Sequence, residues 1–166
     1  MIFKFAQFEV DIDVDKTCDF YRKDQPDNYM CSCSGCRNFR EAISAFPQEV
    51  TSFFAQLGID DMRKAREVYI NCANADNTVY YSGWYHLCGK LISGEWVPTT
   101  KNGLSEEMIK HITYSITDDF RVSFHSKGLL LEAGFPLPVI SLEIYADVPW
   151  VLDEENTYPK DMNRRK

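Results

Sequence analysis

The segment Val68-Tyr69-Ile70-Asn71-Cys72-Ala73-Asn74-Ala75-Asp76-Asn77-Thr78-Val79-Tyr80-Tyr81-Ser82-Gly83-Trp84-Tyr85-His86-Leu87-Cys88-Gly89-Lys90-Leu91-Ile92 decides the fold class. Val68, Ile70 and Cys72 alternate with polar or surface-tolerant residues, which is the period of a half-buried strand. Asn74-Ala75-Asp76-Asn77 is a turn, and the run from Val79 to Ile92, rich in Tyr, Trp and Val, reads as one bent strand or as two strands meeting near Gly83 or Gly89. Downstream, Ile112, Tyr114 and Ile116 alternate, Asp118-Asp119 makes an acidic turn, Phe120, Val122 and Phe124 alternate again, and Val139–Val148 is a further strand. A parallel doubly wound sheet needs a helix between successive strands, and after residue 67 no such alternation is present.

Upstream the period differs. Phe8, Val10, Ile12 and Val14 point one way and Glu9, Asp11, Asp13 and Asp15 the other, a strand with an acidic outer face. Lys16 to Lys23 fits a short helix, and Gln25-Pro26-Asp27-Asn28 breaks it. Phe39, Ala42, Ile43 and Phe46 repeat at three and four, as do Val50, Phe53, Phe54 and Leu57, predicting two helices separated at Pro47, with Gly58 as the stop of the second. Ile59–Arg66 is either a helical turn or a loop, and Leu104–His111 either a short helix or a turn. The order of one strand, helices, then several strands predicts an α+β fold: a mostly antiparallel β-sheet or partial sandwich with an N-terminal helical segment packed on it. Residues 1–152 form one domain, and the polar, aperiodic stretch 153–166 reads as a frayed tail.

The chain has 166 residues with 25 acidic against 18 basic side chains, a formal net charge of -7. This length buries a core without help from a metal or disulfides, so any metal must be argued from its ligands. The acidic balance argues against nucleic acid, whose phosphates attract bases. The absence of a secretory layout at the N-terminus and of an apolar run of about 20 residues predicts a cytoplasmic protein with no membrane span, and hence reduced thiols or metal ligands in place of disulfides.

Cys31-Ser32-Cys33-Ser34-Gly35-Cys36 places three thiols within six residues, between a turn and a helix start, where the chain folds back and thiolates can converge on one ion. A closed structural zinc site wants a fourth ligand. The candidates are Cys18 on the preceding segment, and His86 and Cys88, which share a strand face by their spacing of two. The candidate metal set is therefore Cys31, Cys33, Cys36, Cys18, His86 and Cys88, with zinc in a structural role; Cys72, flanked by apolar residues, reads as a core thiol. An iron–sulfur cluster and thiol exchange at Cys33–Cys36 are further readings of the same string.

The stretch Cys31-Ser32-Cys33-Ser34-Gly35-Cys36-Arg37-Asn38-Phe39, with Leu57-Gly58-Ile59-Asp60, Glu67-Val68, Gly83-Trp84-Tyr85-His86 and Pro149-Trp150-Val151-Leu152, resembles a group of small uncharacterised bacterial proteins with a CxCxxCRNF core and a C-terminal PWVL segment. The resemblance spans residues 15 to 155. It implies a bacterial intracellular protein and carries no activity with it.

No HExxH, GxSxG, GxGxxG or phosphate-binding loop occurs, which removes the zinc peptidases, serine hydrolases, dinucleotide enzymes and P-loop enzymes as pattern-based assignments. A Cys–His pair from Cys88 or Cys36 with His86 or His125, and acid–base work by Asp118, Asp119 or Glu143, lack a local orienting pattern. Tyr80, Tyr81, Trp84, Tyr85 and Trp96 read either as core packing or as a partly exposed binding surface. Three functional readings follow: a non-enzymatic protein with a structural zinc, an acidic immunity-type protein that binds a basic protein partner, and an enzyme with a cleft on the sheet.

Overall fold

The computed structural model describes residues 1–23, 31–94, 108–109, 112–128, 130–162 and 164. The described elements are β1 (Ile2–Phe5), β2 (Phe8–Ile12), α1 (Val14–Lys23), α2 (Ser34–Ile43), α3 (Gln48–Gln56), β3 (Glu67–Asn74), β4 (Thr78–Ser93), β5 (Tyr114–Thr117), β6 (Phe120–His125), β7 (Val139–Pro149) and β8 (Lys160–Asp161), with a 3₁₀ turn at Met62–Lys64 in the ambiguous stretch before β3. The fold is α+β, with the eight strands in one open sheet in place of a sandwich. All described pairings are antiparallel except β3–β8.

β4 organises the sheet. It runs unbroken for 16 residues through both glycines that could have divided it. Its whole length from Thr78 to Cys88 pairs with β7 on one edge. The other edge is shared: β3 pairs with Val79–Trp84, and β2 with Gly89–Ser93. Between them the β4 backbone would lack strand partners, and buried backbone groups must find others. α1 supplies them. Tyr21 Oη accepts from the His86 amide at 3.0 Å and donates to the His86 carbonyl at 3.1 Å, Thr17 Oγ1 accepts from the Cys88 amide at 3.0 Å, and the Asp13 amide donates to the Cys88 carbonyl at 2.8 Å.

That same plug corrects the reading of the first strand. The alternation predicted strand through Val14, but β2 ends at Ile12 because Asp13 begins the helix, accepting from the Lys16 amide at 3.1 Å through Oδ1 and from the Thr17 amide at 3.0 Å through its carbonyl. The acidic face is also partly neutralised within the chain: Lys16 lies 2.7 Å from Asp13 and Lys4 3.6 Å from Glu9. Lys4 belongs to β1, a strand that the sequence reading passed over and that pairs antiparallel with β2.

On one face of the sheet, α2 and α3 lay down their apolar stripes. Phe39 meets Tyr81 with ring centroids 5.4 Å apart, and Phe54 meets Tyr85 at 5.0 Å. Each such buried aromatic side chain contributes about 1.5–3 kcal/mol by removal from water. Tyr80, Tyr81, Trp84 and Tyr85 are all buried, so the packing reading of these aromatics holds and the exposed cluster does not form; Trp96 lies outside the described residues. Most of Leu104–His111 also lies outside them.

The tail is not frayed where it is described. Lys160–Asp161 pairs with Ala73–Asn74 as β8, and the Arg164 guanidinium lies 3.5 Å from the centroid of the Tyr80 ring while pairing with Asp147. Residues beyond 152 therefore add to the sheet, through long-range contacts that no local period signals. No helix of the described chain is long and apolar enough to cross a membrane.

Candidate metal centre

The Cys31–Cys36 stretch is built around the start of α2. Cys33 is the cap: its sulfur accepts from the Cys36 amide at 3.5 Å and its carbonyl accepts from the Arg37 amide at 3.0 Å. The Gly35 amide, another of the unpaired donors at a helix start, donates to Tyr158 Oη at 3.0 Å, while the Gly35 carbonyl accepts from Tyr81 Oη at 2.9 Å. Glycine is needed there for space. A Cβ at position 35 would stand 2.6 Å from Ile70 Cγ1 and 2.7 Å from Tyr158 Oη, closer than any carbon contact allows.

The following residues fix the helix to the sheet. Asn38, fully buried, donates through Nδ2 to the Pro149 carbonyl at 3.0 Å and to Tyr81 Oη at 3.3 Å, and accepts at Oδ1 from the Val151 amide at 2.7 Å. The Arg-Asn-Phe and Pro-Trp-Val pieces of the sequence thus meet in space, through one side-chain amide that satisfies the backbone just past β7. Arg37 pairs with Glu154, and Trp150 Nε1 donates to the Glu154 carbonyl at 2.7 Å. The helix that carries the cysteine loop is therefore tied to the sheet by hydrogen bonds.

The three sulfurs converge. Cys31 Sγ is 3.0 Å from Cys33 Sγ and 3.4 Å from Cys36 Sγ, and all three lie within 4.8 Å of one another. Tetrahedral zinc with Zn–S of about 2.3 Å requires S···S edges of about 3.8 Å, so displacements below about 1 Å bring these sulfurs onto one ion. Cys31 and Cys33 are exposed and Cys36 is buried, which gives a metal an approach from solvent and a fixed inner ligand. Partial burial pushes the Cys33 thiol up, but hydrogen bonds from the Cys31 thiol, the Cys36 amide and the Cys36 thiol outweigh it and bring it down to about 7. Burial and hydrogen bonding to Cys31 and Cys33 push Cys36 up. A thiolate at Cys33 also sits at the positive end of the α2 dipole.

The other three predicted ligands lie outside this group. Cys18 donates to Asp60 Oδ2 at 3.5 Å, and burial followed by that carboxylate raises its thiol. Cys88 is buried in the sheet, raised by burial and by Asp13. His86, with no side-chain exposure, holds Glu132 Oε2 at 2.8 Å through Nδ1, and Glu132 Oε1 receives Arg66 Nη1 at 3.0 Å. The Arg66 guanidinium in turn lies 4.9 Å from the Tyr21 ring centroid. Among the described residues no fourth Cys, His, Asp or Glu completes the cluster. Cys72 is half-buried on β3, short of the core position expected for it.

The Cys–His pairs considered from sequence are replaced by His–carboxylate pairs: His86 with Glu132, and His125, whose Nε2 lies 3.2 Å from Glu143 Oε2. The Arg66–Glu132–His86 group went unread in the sequence, because its members are 20 and 46 residues apart and no short motif joins them. Comparison with known proteins returns no matching family model, no significantly similar curated protein and no significantly similar solved structure.

Proposed function

We propose that this is a metal-binding protein in which the thiolates of Cys31, Cys33 and Cys36 hold one zinc ion, in a structural and non-enzymatic role. The observation that carries the reading is the mutual approach of three sulfurs within 4.8 Å at a helix start. Soft thiolates favour zinc over hard divalent cations, and zinc's tetrahedral preference suits three sulfurs with a fourth ligand that no described Cys, His, Asp or Glu supplies. The role is local. None of the three cysteines belongs to the main hydrophobic core, so the ion fixes the loop before α2 and leaves the sheet to fold on its own.

Elemental analysis and zinc-edge X-ray absorption on the full chain test this. About one zinc per chain with three sulfur neighbours at about 2.3 Å is expected, lost in Cys33→Ser. Protein prepared anaerobically with zinc available but carrying no metal overturns the proposal, as does a metal retained undiminished by Cys33→Ser.

A further inference from the structure

On the sheet face opposite α2 and α3, strand register builds a second concavity. Tyr69, Ser82 and Tyr145 lie abreast across β3, β4 and β7, and Trp84 lies opposite Glu143 one pleat further along. Ser82 is the small member of its row, so the two tyrosines flank a hollow of about 160 Å³ that Trp84 and Glu143 close on one side. The volume corresponds to roughly five waters. Among the described residues no lysine or arginine lines it. Arg121 stands opposite Tyr145 on β6, outside the lining.

The polar groups of the hollow are unevenly satisfied. Ser82 Oγ accepts from Asn71 Nδ2 at 3.1 Å. Tyr145 Oη donates to Glu143 Oε2 at 2.8 Å and His125 Nε2 lies 3.2 Å from the same oxygen, leaving Oε1 with neither contact. Burial pushes Glu143 up, but His125 and Tyr145 outweigh it and hold the carboxyl below its ordinary value, ionised at neutral pH. Trp84 is only 7% exposed, and its buried indole Nε1 has no acceptor among the described residues. Beside it, the half-exposed Tyr69 ring lies 5.8 Å from the Trp84 ring at 43°, so two aromatic faces meet at an angle over the hollow.

We propose that this hollow binds a small organic ammonium ion. The cation lies against Glu143 Oε1 and the faces of Tyr69 and Trp84, as aromatic-walled sites hold alkylammonium groups. Its supports are independent of the cysteine cluster and stand whether or not zinc binds.

The test is a titration of the ¹⁵N-labelled full chain, followed by indole N–H signals, with choline and with its uncharged isostere 3,3-dimethyl-1-butanol. The Trp84 signal is assigned by its loss in Trp84→Phe or, should that variant not fold, by elimination through Trp96→Phe and Trp150→Phe. A saturable shift of the Trp84 indole with choline and none with the isostere is expected, with Glu143→Gln and the surface variant Tyr69→Ala each weakening binding about tenfold. An unmoved Trp84 signal, equal binding of the isostere, or unchanged affinity in Glu143→Gln overturns the proposal.

Discussion

Two polar clusters of this protein contain residue types that chemistry uses, and they have opposite fates. At the start of α2, Cys31, Cys33 and Cys36 come from one short loop, and two of the three are exposed. Under α1, Arg66, Glu132 and His86 come from three distant segments, with side chains exposed by 2%, 11% and 0%. In the second cluster the carboxylate is shared between two partners. The cysteines have mainly each other. In these two clusters, the side chains brought together by sequence proximity stay available for a ligand, whereas those gathered from three distant segments hold the fold.

The sharpest way to break this contrast is to remove the centre of the buried cluster. Glu132→Gln takes the Glu132 carboxylate away from both Arg66 and His86, and loss of one partner of a buried pair costs about 3–5 kcal/mol. Urea unfolding should show that loss; a change below about 1 kcal/mol would make the cluster incidental to stability. The pH dependence has a definite sign. Burial pushes Glu132 up, but the hydrogen bond with His86 and the charges of His86 and Arg66 outweigh it and lower the folded-state pKa below 4.5. Its contribution is therefore fully present above the ordinary carboxylate range and is lost as pH falls through the lowered value. Glu132→Gln should flatten the acid limb of the stability profile, and an unchanged limb would assign acid unfolding to other carboxylates.

Zinc should act next in size, and only through the loop. A ligand that binds the folded state alone, at a hundredfold excess over its Kd, stabilises by about 2.7 kcal/mol, which for a chain of this length raises Tm by about 5–10 °C. The metal-free protein should keep its secondary structure, because the core cluster excludes all three cysteines. Circular dichroism melts with zinc and with chelator check both statements. Collapse of the sheet signal on chelation would mean that the loop is integral to the fold.

How much of this was legible follows the same division. The alternation of Val68, Ile70 and Cys72, and of Phe120, Val122 and Phe124, locates strands, because the period of a strand is written locally. CxCxxC is legible for the same reason. Val14 misled because an apolar residue at the start of a helix continues the strand's alternation, and only the capping by Asp13 distinguishes the two. His86 and Cys88 looked like ligands, and nothing near them in sequence announces that Thr17 and Tyr21 take their backbones or that Glu132 takes the imidazole. The pairing of Lys160–Asp161 with β3 is equally a long-range fact.

The smaller effects probe the join between loop and body. Gly35→Ala puts a methyl group into Ile70 and Tyr158, and the overpacking of about 1–3 kcal/mol is offset by up to about 1 kcal/mol of helix propensity, for a net loss of about 1–2 kcal/mol. Cys33→Ser is the limiting case. Serine is itself a good helix cap, so it can replace the sulfur that receives the Cys36 amide, and at an exposed position the metal-free stability should change by no more than about 0.5 kcal/mol. Zinc binding and folding would then separate in one variant: the added stability in zinc disappears while the metal-free melt stays put. If Cys33→Ser instead lowers the metal-free melt as much as Gly35→Ala does, the thiol is part of the loop's own architecture, and the contrast between an available cluster and a committed one fails at that residue.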